Sequence, residues 1–129
     1  MLRCATVLLA TSLTLFAAGA AQAQPQRPFP ANALRGELVV QQPPEVLLNG
    51  RSARLAPGAR IRGANNLLQM SGALVGQKLA VHFTLDDYGL LRDVWVLTPA
   101  ELARKPWPGT PAEAAAWRFD AAAQTWTRP

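Results

Sequence analysis

Leu79-Ala80-Val81-His82-Phe83-Thr84-Leu85, Asp86-Asp87-Tyr88-Gly89 and Leu90-Leu91-Arg92-Asp93-Val94-Trp95-Val96-Leu97 run on without a break, and this stretch decides the fold. In its first arm Leu79, Val81, Phe83 and Leu85 alternate with Ala80, His82 and Thr84, the period of a half-buried strand. Asp86-Asp87-Tyr88-Gly89 supplies turn chemistry, because Asp and Gly are favoured where a chain reverses. An apolar return arm follows, so the segment predicts a β-hairpin. Pairing Leu85 with Leu90 sets His82 opposite Asp93 on the outer face, one residue from Trp95. A carboxylate there would favour the imidazolium and raise the histidine pKa; without it, His82 is a half-exposed polar strand position.

Upstream, Gly36-Glu37-Leu38-Val39-Val40-Gln41 is a short β-rich run closed by Pro43-Pro44, since proline donates nothing to a ladder. Glu45-Val46-Leu47-Leu48, Asn49-Gly50 and Arg51-Ser52-Ala53-Arg54-Leu55 form a second hairpin, because a type I′ turn needs positive φ at both central residues. The two-residue turn fixes its register and sets Glu45 across from Arg54 as an ion pair. Ala56-Pro57-Gly58 reads as a turn into the short strand Ala59-Arg60-Ile61-Arg62, with both arginines on one face. Residues 67–71 suit another strand or a single helical turn. Short strands about ten residues apart, punctuated by Gly and Pro, predict a mainly β fold, a small antiparallel Greek-key barrel or sandwich of five or six strands.

The ends read differently. Met1-Leu2-Arg3, an apolar run over residues 7–18 and the small-x-small Ala21-Gln22-Ala23 form a secretory leader, with cleavage expected after Ala23. Cys4 is lost with it, so the exported chain carries no cysteine and no disulfide framework. Arg3 also leaves, taking the formal net charge from +5 to +4. A basic exported protein favours anionic partners, and export argues against nucleic acid as one. After cleavage no segment is long and apolar enough to span a membrane.

Residues 24–35, with Pro25, Pro28 and Pro30, read as an extended arm whose Phe29 tucks onto the domain. Beyond the barrel (residues 36–98), Thr98-Pro99-Ala100-Glu101 and Thr110-Pro111-Ala112-Glu113 are helix starts, with threonine as cap and proline at the first position. Residues 117–120 and 125–127 suit a terminal hairpin. This extension, residues 99–129, is therefore short-helical and rich in tryptophan, and at least two of Trp107, Trp117 and Trp126 are expected to cover an apolar patch around Trp95.

The order of pieces resembles small exported bacterial domains with an OB-like barrel: Gly36-Glu37-Leu38-Val39-Val40, the Val46-Leu47-Leu48-Asn49-Gly50 hairpin, Pro57-Gly58-Ala59-Arg60-Ile61, Leu74-Val75-Gly76, and Leu79-Ala80-Val81-His82-Phe83 leading through Asp-x-x-Gly into Val94-Trp95-Val96. The likeness covers residues 36–97. It implies a ligand or partner module with an OB-like Greek-key topology, and no catalytic residues.

Candidate chemistry is sparse. One histidine specifies no reaction, and Ser52 or Ser71 with His82 and Asp93 lacks a nucleophile elbow. Asp86-Asp87 falls short of the six or more oxygens that calcium takes, and zinc would need more than His82. No catalytic residue, metal site or cofactor is therefore expected. Arg51, Arg54, Arg60 and Arg62 lie within twelve residues with no acid between them. Guanidinium forks bind carboxylate, sulfate or phosphate. With Arg54 held by Glu45, the candidate ligand-binding residues are Arg51, Arg60, Arg62, His82 and Trp95. The sequence reads as a periplasmic or secreted non-enzymatic module for an anionic or peptidic ligand. The alternative is an assembly protein docking on a larger cell-envelope partner through its proline arm or Trp-rich tail.

Overall fold

In the computed structural model, which describes residues 26–129, Asn49 and Gly50 take φ of 53° and 78°. That turn joins β2 (Glu45–Leu48) to β3 (Arg51–Arg62). The register pairs Leu48 with Arg51 and Glu45 with Arg54, and Arg54 Nη2 stands 3.1 Å from the Glu45 carboxylate. The leader and its cleavage point lie outside the described residues.

β1 (Leu34–Val40) pairs antiparallel with β2 and with β5 (Lys78–Leu85), and β5 pairs antiparallel with β6 (Leu91–Val96). β6 then lies against β3, and the β2–β3 pairing closes the ring β1-β2-β3-β6-β5. A two-residue strand, β4 (Leu68–Gln69), hangs on β3 as an edge. The barrel is thus closed, but not wholly antiparallel: β3 and β6 run parallel. The connection over residues 63–77 makes this possible, because it carries the chain back across one end before β5 begins.

Pro57-Gly58 is likewise not a chain reversal. β3 continues through it, and Gly58, at φ 75°, marks an irregularity in the pairing with β6 between Leu55 and Arg60. Strand alternation sends Leu34, Leu38, Val46, Val81, Phe83 and Ile61 inward to a buried core, and the bulge in the β5–β6 pairing lets Leu91 and Val94, three residues apart, both join it. Leu74, on a 3₁₀ turn at Ser71–Leu74, plugs one end. The opposite end carries the Asp86 turn, where Asp86 Oδ1 accepts from the backbone of Tyr88 (2.8 Å) and Leu90 (2.9 Å).

After β6, Thr98 caps α1 (Pro99–Leu102) in a reciprocal box with Glu101, and Thr110 caps α2 (Pro111–Ala116). The chain ends in the antiparallel pair β7 (Arg118–Asp120) and β8 (Thr125–Thr127). A second apolar cluster forms outside the barrel wall from Phe29, Ala33, Leu97, Trp107 and Trp126, with Trp95 and Trp117 partly buried against it. The arm is sandwiched here. Gln124 accepts from Phe29 N (2.8 Å) and returns a bond to Phe29 O (3.3 Å), while Trp107 Nε1 donates to Ala33 O (3.0 Å).

Candidate functional site

Register alone assembles a row of side chains across the outer wall. Arg35 on β1 pairs with His82 on β5, His82 with Trp95 on β6, and Trp95 with Arg62 on β3. Leu68 on β4 lies beyond Arg62. Two of the five candidate residues, His82 and Trp95, are thus direct neighbours, and Arg62 is the third of the row.

His82 departs from expectation in partner, burial and charge. A bulge in the β5–β6 pairing between Thr84 and Leu85 places Asp93 opposite Thr84. Thr84 Oγ1 donates to Asp93 (3.2 Å) and accepts from Asp93 N (3.2 Å), so that carboxylate is engaged elsewhere. His82 is only 1 % exposed. Its ring stacks on Trp107 (centroids 4.1 Å apart, planes at 22°) and meets Phe29 edge-on at 4.4 Å. Desolvation, followed by the positive charges of Arg35, Arg27 and Arg104, pushes the imidazole pKa down to about 3 instead of up.

The node around His82 is built by two guanidinium forks. Arg35 Nε donates to His82 Nε2 (3.2 Å), while its other nitrogens donate to the carbonyls of Glu101 (2.9 Å), Leu102 (3.2 Å) and Arg104 (2.7 Å) at the end of α1. A cation there satisfies carbonyls that the helix leaves open. Desolvation lowers the Arg35 pKa, with Glu101 opposing. Arg27 grips both oxygens of Glu101, through Nε at 2.8 Å and through Nη2, and also donates to Gly63 O (3.0 Å) and Val96 O (2.8 Å). Burial alone would raise the Glu101 carboxyl, but the Arg27 fork and the bonds from Thr98 outweigh it and hold it below its ordinary value.

This geometry limits what His82 can do. Nε2 accepts from Arg35, which assigns the ring hydrogen to Nδ1, and Nδ1 is buried without a partner. A general base needs an accessible lone pair within reach of substrate. Here the ring is enclosed between Trp107 and Phe29, so the node ties arm, barrel and α1 together. Sequence reading missed Arg27, Arg35 and Glu101 as a unit. The only local signal was the capping-box glutamate, since their mutual separations along the chain exceed sixty residues for Arg27–Glu101 and Arg35–Glu101.

The exposed candidates are distributed along β3. Nine positions of β3, at most about 30 Å of extended chain, separate Arg51 from Arg60. Arg51 stands beside a groove at the Asn49-Gly50 end, floored by Leu34, Leu48, Phe83 and Leu85. Arg60 and Arg62 share the outer face near the opposite end, with Arg60 exposed, and Arg62 Nη1 donates to Asn66 O (3.3 Å). Among the described residues, Arg51, Arg60 and Arg62 form no salt bridge, although Asp93 is the register neighbour of Arg60 on β6; the ion pairs are Arg27–Glu101 and Arg54–Glu45. Residues 56–60 pair with neither β2 nor β4, and a groove lined by Pro44, Leu55, Ala59, Ile61 and Met70 follows that stretch.

Among the described residues no three His, Cys, Asp or Glu side chains gather as metal ligands would. Set against known families, curated proteins and solved structures, the chain finds no match.

Proposed function

We propose that the protein is an exported, non-enzymatic binding module that takes an anionic partner on the β3 face around Arg60 and Arg62. The observation that carries this reading is the pair of same-face guanidinium groups that form no salt bridge, beside residues 56–59 of β3, which pair with none of β2, β4 and β6. Unpaired arginines at a surface are ready for bidentate recognition of carboxylate, sulfate or phosphate. Arg51 belongs to a separate locus, and His82 and Trp95 support the wall behind the site without touching a ligand.

The OB-like Greek-key description is part of this reading. The closed order β1-β2-β3-β6-β5 and the 3₁₀ turn between the third and fourth barrel strands support it. Export to the periplasm or beyond is inferred from the leader pattern of residues 1–23. Among the described residues no helix is long and apolar enough to cross a membrane. Docking on an envelope partner through arm or tail is less favoured, because Phe29, Trp107 and Trp126 are already buried against the barrel wall.

Heparin retention tests the proposal. Changing Arg51, Arg60 and Arg62 to Gln is expected to move elution to markedly lower salt, with Arg60 and Arg62 responsible for most of the change. Elution unaltered by the triple change would overturn it. His82→Ala is expected to reduce stability and to leave the arginine dependence of heparin retention in place.

A further inference from the structure

The connection between β3 and β5 carries a feature that an anion site alone leaves unexplained. Leu67, Leu68 and Met70 are 64 %, 62 % and 82 % exposed, although the same connection buries Leu74 in the core. Large apolar side chains so close together on one short surface segment mark an interaction site more often than isolated ones do. Leu68 lies directly across from Arg62 in the β3–β4 register, so the apolar side chains border the proposed cationic face.

Charge along the chain sharpens the picture. No Asp or Glu occurs between Glu45 and Asp86, while Arg51, Arg54, Arg60, Arg62 and Lys78 all fall in that interval. Topology divides this charge by position. Arg62 at the end of β3, Lys78 at the start of β5 and the 63–77 connection occupy one end of the barrel, and Asp86-Asp87 turn at the other. The apolar segment therefore adjoins Arg62 and Lys78, neither of which forms a salt bridge among the described residues, with Asp93 beside Arg60 on β6 as the acid nearest in register to the arginine pair.

We propose that this end docks on an anionic bilayer surface, with Leu67, Leu68 and Met70 entering the headgroup–acyl boundary and Arg60, Arg62 and Lys78 meeting lipid phosphates. The inference rests on the anionic-partner reading and names that partner. Protruding apolar side chains ringed by cations match an interfacial anchor, which combines apolar burial with attraction to anionic lipid. An acidic peptide would instead seat its apolar contacts in a groove; of these three side chains Met70 lines one, while Leu67 and Leu68 stand out into solvent. A second copy of the chain would bring the same arginines against themselves.

Co-sedimentation of the chain from Gln24 onward with vesicles tests it, using phosphatidylglycerol mixed into phosphatidylcholine against phosphatidylcholine alone. Binding is expected only to the anionic vesicles and is expected to weaken as salt rises. Arg60→Gln with Arg62→Gln should lower partitioning roughly thirtyfold at low salt. Leu67→Ser, Leu68→Ser and Met70→Ser together should lower it at least about tenfold while heparin retention and thermal midpoint stay unchanged. Equal binding to both vesicle types, or no loss in the serine variant, would overturn the inference. If heparin retention depends on Arg60 and Arg62 but the vesicles bind nothing, the bilayer inference fails and the anionic-partner reading stands. If neither probe responds to the arginines, both fail.

Discussion

At the scale of single residues, the burial of a neutral His82 has a measurable consequence. Its folded pKa, about 3, lies below the ordinary value of 6.5. The unfolded chain therefore binds a proton in this interval that the folded protein refuses. Stability is complete above pH 6.5 and falls as pH drops toward 3, at up to about 1.4 kcal/mol per pH unit. Urea midpoints across this range should show that slope, and His82→Gln should flatten it; parallel slopes would contradict a buried neutral imidazole. Trp107 is the second residue to test. It stacks on His82, meets Phe29, Phe119 and Trp126 edge-on, and donates to Ala33 O. Trp107→Ala should cost about 3–5 kcal/mol in chemical denaturation, as expected for losing a buried aromatic ring. A loss under about 1 kcal/mol would mean that the outer cluster is not a true core.

Among the elements, turns and caps carry their own signals. Gly50, at φ 78° in the two-residue turn between β2 and β3, should lose about 1–2 kcal/mol on change to Ala. Thr98→Ala should cost about 1 kcal/mol by opening the capping box that also positions Glu101 for Arg27. Thermal melts of both variants check these values. The β2–β3 register was legible because Asn-Gly permits essentially one turn, and Glu45 falls opposite Arg54 as that turn dictates. The β5–β6 register was not. Leu85 pairs with Leu91, and a bulge then slips the strands again, so His82 meets Trp95 and not Asp93. The net offset is two residues, which keeps His82 on the outer face that alternation assigned to it. Its burial arises from Phe29 and Trp107, brought over the wall by segments distant in sequence, and no local pattern announces that cover. The parallel pairing of β3 with β6 is equally non-local.

For the molecule as a whole, closeness in sequence misled most where the chain is straightest. Arg51, Arg60 and Arg62 read as one cluster, yet an unbroken β3 carries Arg51 to the Asn49-Gly50 end and leaves Arg60 and Arg62 near the apolar connection. The functional claim is therefore one of location: anion binding belongs to one end of the barrel and does not follow from net positive charge. Charge reversal at matched pairs tests it most directly. Arg60→Glu with Arg62→Glu changes the net charge as much as Arg51→Glu with Arg118→Glu does, but Arg51 stands at the Asn49-Gly50 end of β3 and Arg118 on β7, in the separate two-stranded sheet. Measured by the salt needed to elute each variant from heparin, the first pair is predicted to lose retention almost completely while the second stays close to the parent protein. Equal losses from the two pairs would contradict the account.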